Sequence, residues 1–183
     1  MNDPLPPQAR LDLTLAAIIR PVLSSMAAAE RIPHSMAAER MLLAIGWQES
    51  RFLYRDQVDT GPAVMGPATG FWQFERGGGV HGVMRHHATR GAAMDRAAMA
   101  GVAFDAQAIW AAFTKPRHDR LAAAFARLLL WSDPRPLPDS EAVAWDYYLR
   151  TWRPGKPHAK TWPEAWRRAN QVLDQMPLSA PPP

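Results

Sequence analysis

Ala38, Leu42, Ile45 and Glu49 recur at intervals of four, three and four. That spacing puts all four on one face of an α-helix. Three are apolar, so a fold must bury that face, and the fourth is an acid that continues it. The chain therefore has to place a carboxylate at the end of a buried stripe, against the interior or a cleft wall. Enclosure there disfavours the charged form and raises the pKa, as a general acid near neutral pH requires. Glu49 also admits an ordinary reading, as a helix-ending acid paired with Arg51 or Arg55. Against it stands the high cost of an unpaired charge on a buried face. A long irregular segment rich in aromatic and acidic residues also follows, which is how a cleft is built.

The rest of the sequence points to helices. The 183 residues are 48% apolar, enough to build a core. Alanine, leucine and methionine are abundant and β-branched residues sparse, which favours helix over sheet. The pattern predicts a flexible stretch over 1–8, a single domain over 9–176 and a disordered tail over 177–183. Within the domain, a first helix over about 9–31 should kink or split at Pro21. Ser35 caps the helix that carries the stripe, and periodicity is lost over 52–70, where a short hairpin has room to form. Further helices are expected from about Val80, over 92–100, from an Asp105 cap, over 117–131 with the stripe Leu121, Ala124, Phe125 and Leu128, and from Ser140 to about Thr151. Thr161-Trp162-Pro163-Glu164 has the spacing of a capping box and opens the last helix.

Composition also bounds the partners. The formal charge is +4 and the pI about 10, which suits an anionic partner such as nucleic acid, an acidic cell wall or a membrane surface. The cations are scattered rather than gathered in a basic arm, which speaks against nucleic acid. The best apolar run, Leu11 to Met26, is interrupted by Asp12, Arg20 and Pro21, and no span of about 18 apolar residues stands out, so no membrane insertion is expected. The first residues lack the pattern of a secretory signal, so synthesis in the cytoplasm is expected. With no cysteine, the fold depends on no disulfide. Eight tryptophans are too many for one site, and most are expected in the core, with some left to line a groove.

Two motifs carry a resemblance. Leu43-Ala44-Ile45-Gly46-Trp47-Gln48-Glu49-Ser50-Arg51-Phe52 resembles the Glu-Ser motif of soluble lytic transglycosylases and goose-type lysozymes, in which an apolar helix ends in Glu-Ser-x-Phe. Gly70-Phe71-Trp72-Gln73 resembles the second motif of that family, Gly-Leu-Met-Gln. The resemblance covers about residues 44–73, and the whole chain is similar to phage-encoded members that act in lysis or in the virion. It implies a mostly helical, lysozyme-like fold with at most a vestigial hairpin around 52–70. It also implies peptidoglycan glycan strands as partner and substrate, no cofactor, and Glu49 as general acid at the β-1,4 linkage between N-acetylmuramic acid and N-acetylglucosamine. Ser50 would position the acid or the substrate, Gln73 would orient the glycan, and Phe71 and Trp72 would offer faces to sugar rings. The third motif of the family, Ala-Tyr-Asn, has no clean counterpart. The nearest segment is Ala144-Trp145-Asp146-Tyr147-Tyr148, from which Tyr147 or Tyr148 could reach Glu49, unless both are ordinary amphipathic-helix residues.

A second carboxylate would decide the mechanism. Inversion needs a base roughly 6.5–9.5 Å from the acid, and Glu75, Asp59 and Asp56 are available, though each alone reads more readily as a loop or capping acid. A transglycosylase needs no base, because Glu49 acts first as acid and then as base while a substrate hydroxyl closes an anhydro ring. His81, His86 and His87 lack the spacing of metal ligands, so no metal is expected. Gly77-Gly78-Gly79 lacks the Lys-Ser/Thr of a phosphate loop and reads as a hinge. The competing reading is a non-catalytic virion or adaptor protein that keeps the fold to bind glycan or other virion proteins.

Overall fold

The computed structural model describes residues 5–56 and 66–178. The fold is mostly α, with one two-stranded antiparallel sheet among the described residues. The first helix has about the expected length and is not split at Pro21. It runs as α1 (Pro7–Thr14), a wider π-helical turn (Leu15–Ile19) and α2 (Arg20–Glu30). Pro21 has no N–H to offer the carbonyl one turn back, at Ala17. The widened turn absorbs the mismatch, and Arg120 Nε donates to the Ala17 carbonyl at 3.0 Å. This Pro7–Glu30 stretch, with a mean hydropathy of 1.4 over its most apolar 18 residues, is long and apolar enough to cross a membrane by length and composition, contrary to the expectation from sequence. The same property serves a core helix. Leu11, Leu15, Ile19, Val22, Leu23 and Met26 are buried, and the stretch packs on the helices over Asp119–Trp131 and Trp162–Gln175.

Helix α3 (Met36–Ser50) begins where Ser35 Oγ accepts from the Ala38 N–H at 3.2 Å. Ala38, Leu42 and Ile45 are fully buried, but so are Met41, Leu43 and Ala44, so α3 is a central helix rather than an amphipathic one. Its acid Glu39 is also fully buried, held by Arg20 through two bonds of 2.9 and 3.1 Å and by His34 at 2.7 Å. At the C-terminal end, Arg51 and Phe52 both adopt left-handed backbone, each at φ 53°. This double turn folds the Phe52 ring back over Gly46. A Cβ at position 46 would lie 2.3 Å from that ring, which is why a glycine stands inside this helix.

The hairpin begins at the end of the 52–70 window and extends beyond it. Strand β1 (Ala68–Thr69) pairs with β2 (Phe74–Glu75) in the register 68 to 75 and 69 to 74. The second motif is thus itself the turn, bounded by Gly70 at φ 75° and Gln73 at φ 47°. After a π-helical segment over Arg76–Val80 come α4 (His81–Arg85), α5 (Arg90–Met99) and α6 (Ala106–Ala112). Helix α6 is capped by Asp105, which accepts from Gln107 N at 2.9 Å and Ala108 N at 3.0 Å. Helix α7 (Asp119–Trp131) buries its expected stripe and, in addition, Ala122, Ala123, Ala126 and Leu130, making it a second central helix. Helices α8 (Glu141–Trp152) and α9 (Trp162–Gln175) complete the core. The capping box does not form. Thr161 Oγ1 instead bonds the His158 carbonyl at 2.9 Å and Gln48 Oε1 at 3.0 Å, and Glu164 pairs with Arg168 at 2.7 Å. Residues 57–65 and 179–183 lie outside the described residues, and with them Asp59, Thr60 and most of the expected tail.

Candidate active site

A cleft of about 1250 Å³ opens between the C-terminal end of α3, the hairpin, the Gly77–Gly79 run, α4 and the end of α8 with the loop that follows. Glu49 sits in its wall. Tyr148 Oη donates to Glu49 Oε1 at 2.5 Å, and no cation pairs with this carboxylate among the described residues. Burial pushes the Glu49 pKa up to about 7; the Tyr148 hydrogen bond pulls it down and the nearby Glu75 charge pushes it further up. Burial and the Glu49 charge hold the Tyr148 hydroxyl in its protonated, donating form. The Tyr148 ring is itself fixed, stacked on Trp162 with centroids 5.1 Å apart and planes at 16°.

The pairing of Glu49 with Arg51 or Arg55 does not occur. Arg55 grips Asp119 through bonds of 2.7 and 2.6 Å while its guanidinium lies over the Phe71 ring at 4.2 Å. Arg51 takes the left-handed conformation, and its carbonyl accepts from Arg10 at 2.6 Å.

The other expected site residues divide. Gln73 and Glu75 line the cleft with Glu49, and the Gln73 amide is held by the Gly70 carbonyl at 2.9 Å. Ser50, Phe71 and Trp72 do not reach the cleft, which corrects their expected contact with substrate. Ser50 is buried; its hydroxyl donates to the Phe71 carbonyl at 2.7 Å and accepts from Phe52 N at 3.1 Å, tying the hairpin turn to the end of α3. Phe71 and Trp72 face inward and pack edge-on against Phe52 at 5.6 and 5.9 Å, and the Trp72 indole donates to the Leu42 carbonyl at 2.9 Å. Large rings contribute most when buried, and this turn buries both.

Tyr147 is corrected in the same way. Its hydroxyl donates to the Leu130 carbonyl at 2.8 Å, and burial pushes its pKa up to about 12. Adjacent helical residues point about 100° apart, so only one tyrosine of the pair can face Glu49. Asp56 is exposed; its backbone bridges to Thr69, away from the cleft wall. Asp59 lies outside the described residues. His81 and His86 reach the cleft, and the His86 and His87 rings lie 4.5 Å apart.

Several cleft residues were not singled out from sequence. Trp152 lines the wall, with its indole donating to the Trp72 carbonyl at 3.0 Å and its ring 5.7 Å from Phe74. Gln48 holds the loop after α8, donating to the His158 carbonyl at 3.1 Å. Arg85, Arg153 and Lys156 also line the cleft. The available signal was the clustering of Arg153, Lys156 and Lys160 within one proline-containing loop. Compared with family models, curated proteins and solved structures, the chain matches none.

Proposed function

We propose that this chain cleaves the glycan strands of peptidoglycan at the β-1,4 linkage after N-acetylmuramic acid, with Glu49 as general acid, in the manner of the lytic transglycosylases and goose-type lysozymes that its motifs resemble. The observation that carries the reading is the state of Glu49. It is a carboxylic acid without a cation partner among the described residues, opening on a large cleft, with its pKa at about 7. An acid of that strength is about half protonated at neutral pH and can deliver its proton to the leaving oxygen as positive charge develops on the sugar. Tyr148 bonds Oε1, and among the described residues nothing bonds Oε2, which can face the glycosidic oxygen. Glu75 shares the cleft as the remaining carboxylate without a cation partner among the described residues, either stabilising the charged sugar or holding a water against it. Without that water, the Glu49 carboxylate takes the proton of a substrate hydroxyl and an anhydro ring closes.

The test is Glu49→Gln, nearly isosteric, assayed on purified peptidoglycan with muropeptide mass spectrometry. General acid–base catalysis contributes roughly 100- to 10,000-fold, so product release should fall by at least about 100-fold. Unchanged lysis would remove Glu49 from the mechanism. Among wild-type products, reducing ends mean hydrolysis and anhydro ends mean transglycosylation. No product at all would leave a glycan-binding adaptor.

A further inference from the structure

The cleft is lined by more fixed cations than the cleavage chemistry uses. Asp133 lies in its wall, but Arg150 neutralises it at 2.6 Å. Arg85, Arg153 and Lys156 have no acidic partner among the described residues. The Arg153 Nε reaches only the Arg150 carbonyl, at 3.3 Å. With Glu49 protonated, the lining holds four fixed cations (Arg85, Arg150, Arg153 and Lys156) against two carboxylates (Glu75 and Asp133), and His81, His86 and His158 besides. A concave wall of one sign concentrates ligands of the other.

Unpaired surface cations are commonly just solvated. Here the segment that bears two of them is anchored beside the acid. Gln48, the residue before Glu49, donates to the His158 carbonyl at 3.1 Å and accepts from Thr161 Oγ1 at 3.0 Å. Arg153 and Lys156 are therefore carried on a loop whose far end is fixed to the helix that presents Glu49. A neutral glycan would leave this positive wall unanswered, whereas a strand carrying carboxylates would meet it.

We propose, resting on the glycan-cleavage reading above, that Arg85, Arg153 and Lys156 form a subsite for carboxylates displayed along the strand, so that the chain selects an anionic glycan over a neutral one of the same backbone. The carboxylates can come from the lactyl group of the sugar or from the attached peptide, and both present the same chemistry.

The experiment compares three materials with the full chain at low and moderate salt: intact sacculi, sacculi with carboxylates converted to methylamides, and strands freed of peptide so that their lactyl carboxylates are bare. Removing one exposed ion pair should slow cleavage by up to about fivefold. Intact sacculi are expected to be cut about three- to tenfold faster than methylamidated ones, with the difference shrinking as salt rises. In the double variant Arg153→Asn, Lys156→Gln the ratio between the two should fall toward one; asparagine suits the left-handed backbone at position 153, where φ is 50°. Peptide-free strands cut as fast as intact sacculi would show that a bare lactyl carboxylate serves as well as those of the peptide, and slower cutting that the subsite reads the peptide's; both support the subsite. Equal rates on intact and methylamidated material at low salt would overturn it while leaving the glycan-cleavage reading standing. If the wild type cuts neither, the cleavage reading fails, and co-sedimentation with the same materials decides the subsite: preferential retention on intact sacculi supports it and equal retention overturns it.

Discussion

The enclosed acid makes a prediction about stability that needs no substrate. In the unfolded chain Glu49 titrates near 4.5, and in the fold near 7. Between those values the folded state holds a proton that the unfolded state has lost, so stability falls as pH rises through this window. It is fully present below about 4.5, declines up to about 7 and stays lower beyond. The shift of about 2.5 units, at 1.36 kcal/mol per unit, amounts to ~3 kcal/mol. Glu49→Gln removes the titration while its amide oxygen can still accept from Tyr148. The variant should match the wild type at pH 4 and exceed it by ~3 kcal/mol at pH 8. For a chain of this size that is a rise of about 6–12 °C in Tm. Thermal unfolding of both proteins by circular dichroism from pH 4 to 9, at constant ionic strength, reads this directly. All other titrations are common to the two and cancel in the difference. A Tm difference that is flat across pH, or a variant less stable at pH 8, would refute the claim that Glu49 carries a half-buried, unpaired charge.

Three further changes probe the same arrangement. Tyr148→Phe removes the bond that favours ionised Glu49, so the Glu49 pKa should rise and the alkaline limb of the pH–rate profile should move to higher pH. Glu75→Gln removes a like charge from the cleft, so the same limb should move to lower pH; if Glu75 holds the attacking water, reducing-end products should also vanish from the muropeptide spectrum. Gly46→Ala drives a methyl to 2.3 Å from the Phe52 ring, an overpacking that should cost about 1–3 kcal/mol and lower Tm measurably; an unchanged Tm would mean that Phe52 does not fold back over α3.

What was legible in the sequence was local. The Ser35 and Asp105 caps depend on a side chain reaching a backbone N–H two or three residues on, and both form. The α7 stripe depends only on helical spacing, and it is buried. What was not legible depended on partners distant in the chain. Phe71 and Trp72 read as open aromatic faces because nothing in their neighbourhood tells that Phe52, about twenty residues earlier, closes over them. The choice between Tyr147 and Tyr148 is set by which side of α8 meets α3, and the failure of the capping box by the claim of Gln48 on Thr161. Pro21 interrupts the α-helical ladder without ending the helix, because the turn before it widens and the Ala17 carbonyl borrows a donor from Arg120.

Helix α3 carries its own control for the meaning of Glu49. It carries two acids, Glu39 fully buried and Glu49 half-buried in the cleft wall, and treats them in opposite ways. Glu39 receives Arg20 on both oxygens and His34 besides, the arrangement that a buried carboxylate needs if it serves the fold alone. Glu49 receives one neutral hydroxyl. The shortfall is not a local lack of cations, because Arg51 and Arg55 follow within six residues. Arg55 is drawn off to Asp119 and the Phe71 ring, and the double left-handed turn at Arg51 and Phe52 gives the chain its new direction immediately after the acid. Moving either arginine onto Glu49 would stabilise its charge and lower its pKa, at the expense of the proton it holds near neutral pH. The surrounding structure therefore tolerates a destabilised acid in the cleft wall, a local sacrifice of stability of the kind expected where a residue is kept for chemistry.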